Sequence, residues 1–230
     1  MICSHWNVPI NKIEGLVVVI SNEKSLPDIL YNLNEWTIDL QREMNNTEVI
    51  YASDRFLQLP EELNSTEDNN ILKYFKQIII PGCPNFIIDG SCKFTNSLKE
   101  LIPKYKNLKW VLRIEPNTFV NAVGLKKYIN SFNHHYEKKQ ILRSATKKVG
   151  DSIILDHRSG WFMSRRTAED WSYLTLTFDN NTLHETPKSL PVVLGIKPNE
   201  VTDHHFITYS FSREELKDVT GTMTNQCPES

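Results

Sequence analysis

Short apolar runs alternate with segments of helical periodicity along the first half of the chain. The runs Leu16–Ile20, 48–52 and 110–114 have the length and the β-branched content of buried strands. A helical pattern with Ser25 as its expected N-cap follows the first run. Its apolar positions are Leu26, Ile29, Leu30, Leu33, Trp36 and Leu40. Strand, helix and strand in this order predict a mostly parallel α/β sheet.

The same reading continues along the rest of the chain. Residues 71–80 predict a short helix and then a strand, and a helix is expected to end near Pro103. The buried face of that helix is expected to hold Phe94, Leu98, Leu101 and Ile102. A further helix is expected after Asn121, its predicted cap. The remaining expectations are strands at 152–155 and 160–163, a helix at 165–174 and an extended segment at 201–211.

Length and charge restrict the class of protein. The 230 residues favour one domain spanning 1–230, and the formal net charge of −2 lacks the basic excess typical of a nucleic-acid binder. The longest apolar run has strand length, well short of the ~20 residues that span a bilayer. We therefore expect no membrane span in this chain, and no targeting signal is visible; a luminal piece of a longer chain is the alternative.

Polar residues follow two of the predicted strands. Asp54 follows the second strand, and Glu115 and Asn117 follow the strand at 110–114. Ligands of parallel α/β sheets bind at the carboxyl ends of the strands, so these side chains are candidates for a ligand or divalent-cation site. A solvated turn between a strand and a helix is the alternative interpretation.

Two adjacent histidines and two cysteines are the other candidates for chemistry. His204 and His205 lie in the extended segment, where neighbouring side chains point to opposite sides, so at most one would face a given site. One surface and one packed histidine is the alternative. Cys83 and Cys92 flank a short loop that could close as a disulfide, although spacing alone leaves the pairing open. The sequence contains no CxxC pair, the spacing that would indicate a zinc site.

The order of these features resembles the Fringe-like family of glycosyltransferases, which includes Fringe and the core-1 β1,3-galactosyltransferases. The strongest match is the segment Lys-Trp-Val-Leu-Arg-Ile-Glu-Pro-Asn-Thr-Phe-Val-Asn at 109–121, which looks like the family's Lys-Trp strand, aspartate turn and Thr-Tyr-Val-Asn helix start. Segments 83–93, 160–165, 194–196 and 204–206 follow in the family's order. The similarity covers roughly residues 14–211.

The resemblance implies a GT-A-type fold with a Rossmann-like sheet. The nucleotide-binding half would be about 14–120 and the acceptor-side half about 121–211. It implies transfer of a hexosyl or N-acetylhexosaminyl group from a UDP-sugar to a hydroxyl of a glycan or glycoprotein. It also implies a disulfide between Cys83 and Cys92, and residence in the secretory-pathway lumen (Golgi or ER) or secretion.

The same resemblance assigns the site. Asp54, Glu115 and Asn117 would border the nucleotide, and Glu115, Asn117 and one of His204 or His205 would hold Mn²⁺ near the diphosphate. Two departures from the family weaken this expectation. Its Asp-Asp-Asp turn is Glu-Pro-Asn here, and its base-bearing Pro-Asp-Asp segment corresponds to 189–193, which contains no acid. We therefore expect weak or altered transfer. The alternative is a catalytically inactive module that binds a nucleotide-sugar, glycan or protein, and a more remote one is an unrelated α/β domain.

Overall fold

The architecture is a six-stranded, mostly parallel sheet between two layers of helices. A computed structural model describes residues 10–60, 73–83, 91–131, 141–144, 146–149, 152–155, 160–173 and 208–210. The strands of the main sheet are β1 (Gly15–Ile20), β2 (Thr47–Ser53), β3 (Gln77–Ile79), β4 (Trp110–Ile114), β6 (Leu142–Ser144) and β9 (Trp161–Ser164). They lie in the order β3-β2-β1-β4-β9-β6. The sheet confirms the α/β fold predicted from the sequence.

Parallel pairing brings the carboxyl ends of three strands to one edge. Strand β1 pairs in parallel with both β2 and β4, and Val19 lies opposite Tyr51 on one side and Ile114 on the other. Strand β9 runs antiparallel to β4, so its first residue lies at the same edge, where β4 ends. The strand at 110–114 is thus central, as predicted.

Helices cover both faces because side chains along β1 alternate between two apolar cores. The helices are α1 (Leu26–Asn32), α2 (Ile38–Glu43), α3 (Ser91–Leu101), α4 (Ala122–Ser131) and α5 (Arg165–Ser172). One core packs Leu16 and Val18 against α3 and α5. The other packs Val17 and Val19 against α1, α2 and α4. Burial on both faces explains why the strands lack polar alternation.

Two small antiparallel pairs complete the described structure. Strand β5 (Thr118–Val120) pairs with β10 (Thr208–Ser210), and β7 (Thr146–Val149) pairs with β8 (Ser152–Leu155). The sequence predicted β8 and an extended segment, 201–211, that contains the whole of β10, but it predicted a turn and a helix start where β5 lies. Most of the extended segment 201–211 lies outside the described residues.

The helix predicted after Ser25 begins at Leu26, as expected, but it follows a capped 3-10 turn and has a different interior. Asn22 is the residue that caps the preceding 3-10 turn: its Oδ1 accepts from the backbone N–H of Lys24 at 2.9 Å. Ser25 is the N-cap residue of α1, as predicted, although its side chain makes no cap bond to the helix. The helix is also interrupted by a π-helical segment at Leu33–Thr37. The other predicted cap is confirmed, since Asn121 Oδ1 accepts from the backbone N–H of Gly124 at 2.9 Å.

Two local features at the amino-terminal edge of the sheet, a close contact and a buried ion pair, contribute to packing. A Cβ atom on Gly15 would lie 2.0 Å from the ring of Trp110, so only glycine fits beside the indole. Buried Glu48 is ion-paired with Lys76. Burial lowers the pKa of Lys76 to about 7, and contact with the Glu48 carboxylate is what favours its charged form.

Candidate functional site

The predicted candidates Asp54 and Glu115 lie at the same edge of the sheet. Asp54 directly follows β2 and Glu115 directly follows β4. Strand β1 runs between these two strands, and it ends at Ile20, opposite Ala52. Two inter-strand spacings place the ends of β2 and β4 ~10 Å apart. The edge is therefore wide enough for an extended ligand to contact both ends.

A buried lysine joins three elements at this edge. Lys93, in the first turn of α3, places its Nζ 2.9 Å from the carbonyl oxygen of Ser21 and 3.1 Å from Asp54 Oδ1. Its side chain is only 5% exposed. Asp54 also has the guanidinium of Arg55 at 3.7 Å. The Asp54 carboxylate is thus oriented and largely neutralised by two cations.

The disulfide next to Lys93 anchors the start of α3. Cys83, just after β3, is bonded to Cys92, with their Cα atoms 5.6 Å apart. This confirms the pairing that the family resemblance implied. Because Lys93 follows Cys92 directly, the bond ties the helix turn that supplies the lysine to the end of the sheet.

Glu115 is held by a second buried cation. Nη2 of Arg113 lies 2.6 Å from Glu115 Oε1, and the Arg113 side chain has no solvent exposure. Its guanidinium also lies 4.4 Å from the centre of the Trp161 ring. Glu115 lies two residues after Arg113 and directly past the end of β4, close enough for the two side chains to pair. Glu115 is therefore the ion-pair partner that compensates the buried charge of Arg113.

Close packing against β9 fixes the end of β4. Gly160 has φ +81°, and a Cβ atom there would lie 2.7 Å from the Arg113 carbonyl oxygen. Any other residue would meet both backbone strain and this contact. Glycine at position 160 therefore permits the approach of β9 to the strand that bears Arg113.

The turn at 115–117 is tied to the opposite helical layer. Asn32 Nδ2 donates to the carbonyl oxygen of Pro116 at 2.6 Å, and Trp36 Nε1 donates to Asn32 Oδ1 at 3.0 Å. Trp36 lies in the π-helical segment, a type of helical irregularity often found at functional sites. Asn117, the other predicted candidate in the turn, is partly exposed beside it.

His204 and His205 lie outside the described residues. What the structure does show is that β10, which begins at Thr208, pairs with β5 immediately after the turn. The segment 189–193, where the family keeps its base, is likewise outside the described residues. The proposed roles of both segments remain predictions.

The described residues do not fit a tightly held Mn²⁺ ion. Hard dications prefer several oxygen ligands, mostly carboxylates. The turn supplies one carboxylate, Glu115, and that group already binds the guanidinium of Arg113. Asn117 supplies at most a neutral amide oxygen. Across the described part of the chain, no three His, Cys, Asp or Glu side chains are grouped as metal ligands would be.

Sequence reasoning missed Lys93, Arg113 and Asn32 as parts of this site. Arg113 gave a usable signal, since a charged residue in the middle of an apolar strand needs a partner and Glu115 lies two residues after it. The bond between Lys93 and Asp54 joins residues 39 apart in sequence. No local pattern indicates such a contact.

Comparison with known proteins supports the fold. No family model matches the sequence. No curated protein matches it either. A glycosyltransferase involved in the glycosylation of the major capsid of PBCV-1 is similar in structure, with a TM-score of 0.54, 12% identity and coverage of 90% of this chain and 98% of that one. The 4-diphosphocytidyl-2C-methyl-D-erythritol synthase of Anaerococcus prevotii is also similar, with a TM-score of 0.51, 12% identity and coverage of 93% and 100%.

A third similar structure is residues 1–349 of TarS from S. aureus, with a TM-score of 0.51, 12% identity and coverage of 90% of this chain and 63% of that one. These likenesses show that the chain has the α/β fold shared by GT-A-type glycosyltransferases and nucleotidyltransferases. Within the described residues, no helix is long and apolar enough to cross a membrane.

Proposed function

We propose that this protein binds a UDP-sugar at the carboxyl edge of its sheet and acts as a Fringe-like glycosyltransferase of weak or altered activity. The observation that supports this most is the position of Asp54 and Glu115 at the ends of β2 and β4, on either side of β1. In open α/β sheets, ligands bind outside the carboxyl ends of the strands, which is where these two side chains lie. The structural similarity to a glycosyltransferase favours a nucleotide-sugar as the ligand.

The roles of the two carboxylates follow from their surroundings. Asp54, which is held by Lys93 and is 12% exposed, can accept hydrogen bonds from the nucleoside. The turn at 115–117 lies two strands away, where the diphosphate and sugar would follow. Transfer requires an acceptor hydroxyl to attack the anomeric carbon while the bond to the diphosphate breaks, with the hydroxyl proton passing to a base. A group outside the described residues would have to provide that base.

A catalytically inactive nucleotide-sugar or glycan-binding module is the second candidate. The ion pair between Arg113 and Glu115 favours it, because the carboxylate that could act on a substrate or a cation is already occupied. In this case the protein would bind a UDP-sugar and release it unchanged. A secretory-pathway location, Golgi or ER, belongs to the proposal in either case.

A panel of UDP-sugars with simple glycoside acceptors, analysed by mass spectrometry, tests transfer. We expect slow transfer from one donor, and binding of UDP by calorimetry that exceeds binding of ADP or GDP. Asp54→Asn keeps an acceptor for Lys93 but removes a charge-assisted bond to the ligand, so UDP should bind ~10-fold more weakly or worse. Asp39→Ala, at a carboxylate that is 68% exposed on α2, is the matched control and should bind UDP normally.

The outcomes separate the two candidates. Binding without turnover of any donor supports the inactive module. An absence of UDP binding, or an Asp54→Asn variant that binds as tightly as the parent, contradicts the proposed site.

A further inference from the structure

We infer that this site holds the diphosphate of its nucleotide-sugar without a divalent cation, because Arg113 and Lys93 already neutralise the carboxylates, Glu115 and Asp54, that would otherwise repel it. The inference rests on the proposed function and specifies how that site recognises its ligand. Arg113 is proposed as a positioning residue, since its buried side chain acts through Glu115.

Because Arg113 is buried, breaking its ion pair with Glu115 would be energetically costly. The guanidinium, on the next-to-last residue of the central strand β4, has no solvent exposure and lies 4.4 Å from the centre of the Trp161 ring. A charge at such a depth is tolerated when it is paired and hydrogen-bonded. A cation at Glu115 would have to share the carboxylate with Arg113, whose guanidinium binds Oε1 and would repel the cation.

Asp54 is in an equivalent situation at the end of β2. The Lys93 ammonium is buried and is fixed between the Ser21 carbonyl oxygen, 2.9 Å away, and Asp54 Oδ1, 3.1 Å away. This geometry leaves the lysine little freedom to withdraw. Asp54 therefore also lacks the uncompensated charge that attracts a dication.

The ion pairs described at this edge balance in charge. The three carboxylates of Glu23, Asp54 and Glu115 pair with three cations, those of Arg55, Lys93 and Arg113. A metal is needed where uncompensated carboxylates face an anionic diphosphate, because it brings two anions together. Here the carboxylates are already matched, so a diphosphate can approach without a bridging ion.

Calorimetric titration of UDP into the full chain, in EDTA and separately in Mn²⁺, tests the inference. We expect the two affinities to agree within about twofold. A loss of tenfold or more in EDTA would overturn the inference while leaving the proposed nucleotide function intact. Failure to bind UDP in either buffer would instead contradict the proposed function, and the inference with it.

Two variants test the role of Arg113. Arg113→Met removes the cation and leaves Glu115 uncompensated, so UDP binding in EDTA should fall at least tenfold and be partly restored by Mn²⁺. Arg166→Met is the matched control, at an arginine that is 57% exposed on α5, and should bind UDP as the parent does. Weak binding that Mn²⁺ fails to improve in a folded Arg113→Met protein counts against the inference.

Glu115→Gln covers the case in which Arg113→Met does not fold. This change keeps an acceptor for Arg113 but removes one negative charge, so UDP should bind several-fold more tightly, in EDTA and in Mn²⁺ alike. If Glu115→Gln instead abolishes binding or removes a Mn²⁺-dependent gain, Glu115 is a metal ligand and the inference is wrong.

Discussion

Removal of the disulfide between Cys83 and Cys92 should destabilise the fold by an amount that its loop length sets. The cysteines are nine residues apart in sequence. Closing a loop of that length in the unfolded chain corresponds to about 2.6 kcal/mol in the chain-entropy model. For a protein of this size, each kcal/mol shifts Tm by about 2–4 °C, so Cys83→Ala/Cys92→Ala should melt about 5–10 °C below the parent.

Denaturant unfolding of the parent and the double variant, each with and without reductant, measures this effect. The parent should lose stability in reductant, while the double variant, which has no such bond to reduce, should change little. Because Lys93 follows Cys92 directly, UDP should also bind the double variant more weakly. A parent that is equally stable in both buffers, with both thiols reactive in a thiol count, would refute the reasoning.

Three further substitutions test the packing and the ion pairs. Gly160→Ala forces alanine to φ +81° against the Arg113 carbonyl oxygen and should cost at least ~1–2 kcal/mol in denaturant unfolding; an unchanged midpoint would show that the backbone relaxes freely. Glu48→Leu alone leaves the ammonium of Lys76 buried and should cost ~3–5 kcal/mol, whereas the double variant Glu48→Leu/Lys76→Met should recover at least half of that loss; equal losses would show that the two groups are not coupled. Lys93→Met removes two hydrogen bonds to an ammonium and should lower both stability, by ~1.5–3 kcal/mol, and UDP affinity, with partial rescue by Lys93→Arg; a parent-like Lys93→Met protein would remove the lysine from the site.

Local patterns were sufficient to predict the central elements of the fold. The strand at 110–114 has the same bounds in the structure as in the prediction. The face of α3 that holds Phe94, Leu98 and Leu101 is fully buried, as its spacing indicated. Buried parallel strands and amphipathic helices are visible in sequence because burial selects apolar residues at the period of each element.

Features that depend on distant contacts were not predictable in the same way. The π-helical segment at Leu33–Thr37 keeps helical periodicity, so its altered geometry has no local signature. The bond from Asn32 to Pro116 joins residues 84 apart, and the sequence indicates neither the bond nor the orientation it imposes on the turn. Strand β5 forms against β10, which comes from the far end of the chain.

The candidate site was predictable in its position and incomplete in its chemistry. Strand ends located Asp54 and Glu115 at one edge, because parallel strands share their carboxyl ends. The cations that neutralise these carboxylates were not predicted. Lys93 comes from a separate helix, α3, and Arg113 lies within a strand whose other residues are apolar. A search for charges inside apolar runs would have found Arg113, but not Lys93.

Hydrogen exchange of the full chain with and without saturating UDP tests the central claim most directly. If the nucleotide binds at the carboxyl edge of the sheet, protection should appear in peptides that cover 20–25, 53–57 and 113–118. Peptides around Glu48 and Lys76, at the amino-terminal edge, should exchange at the same rate in both samples. Two results would contradict the account. One is protection confined to the amino-terminal edge; the other is unchanged exchange of the peptides covering 20–25, 53–57 and 113–118 when UDP is bound.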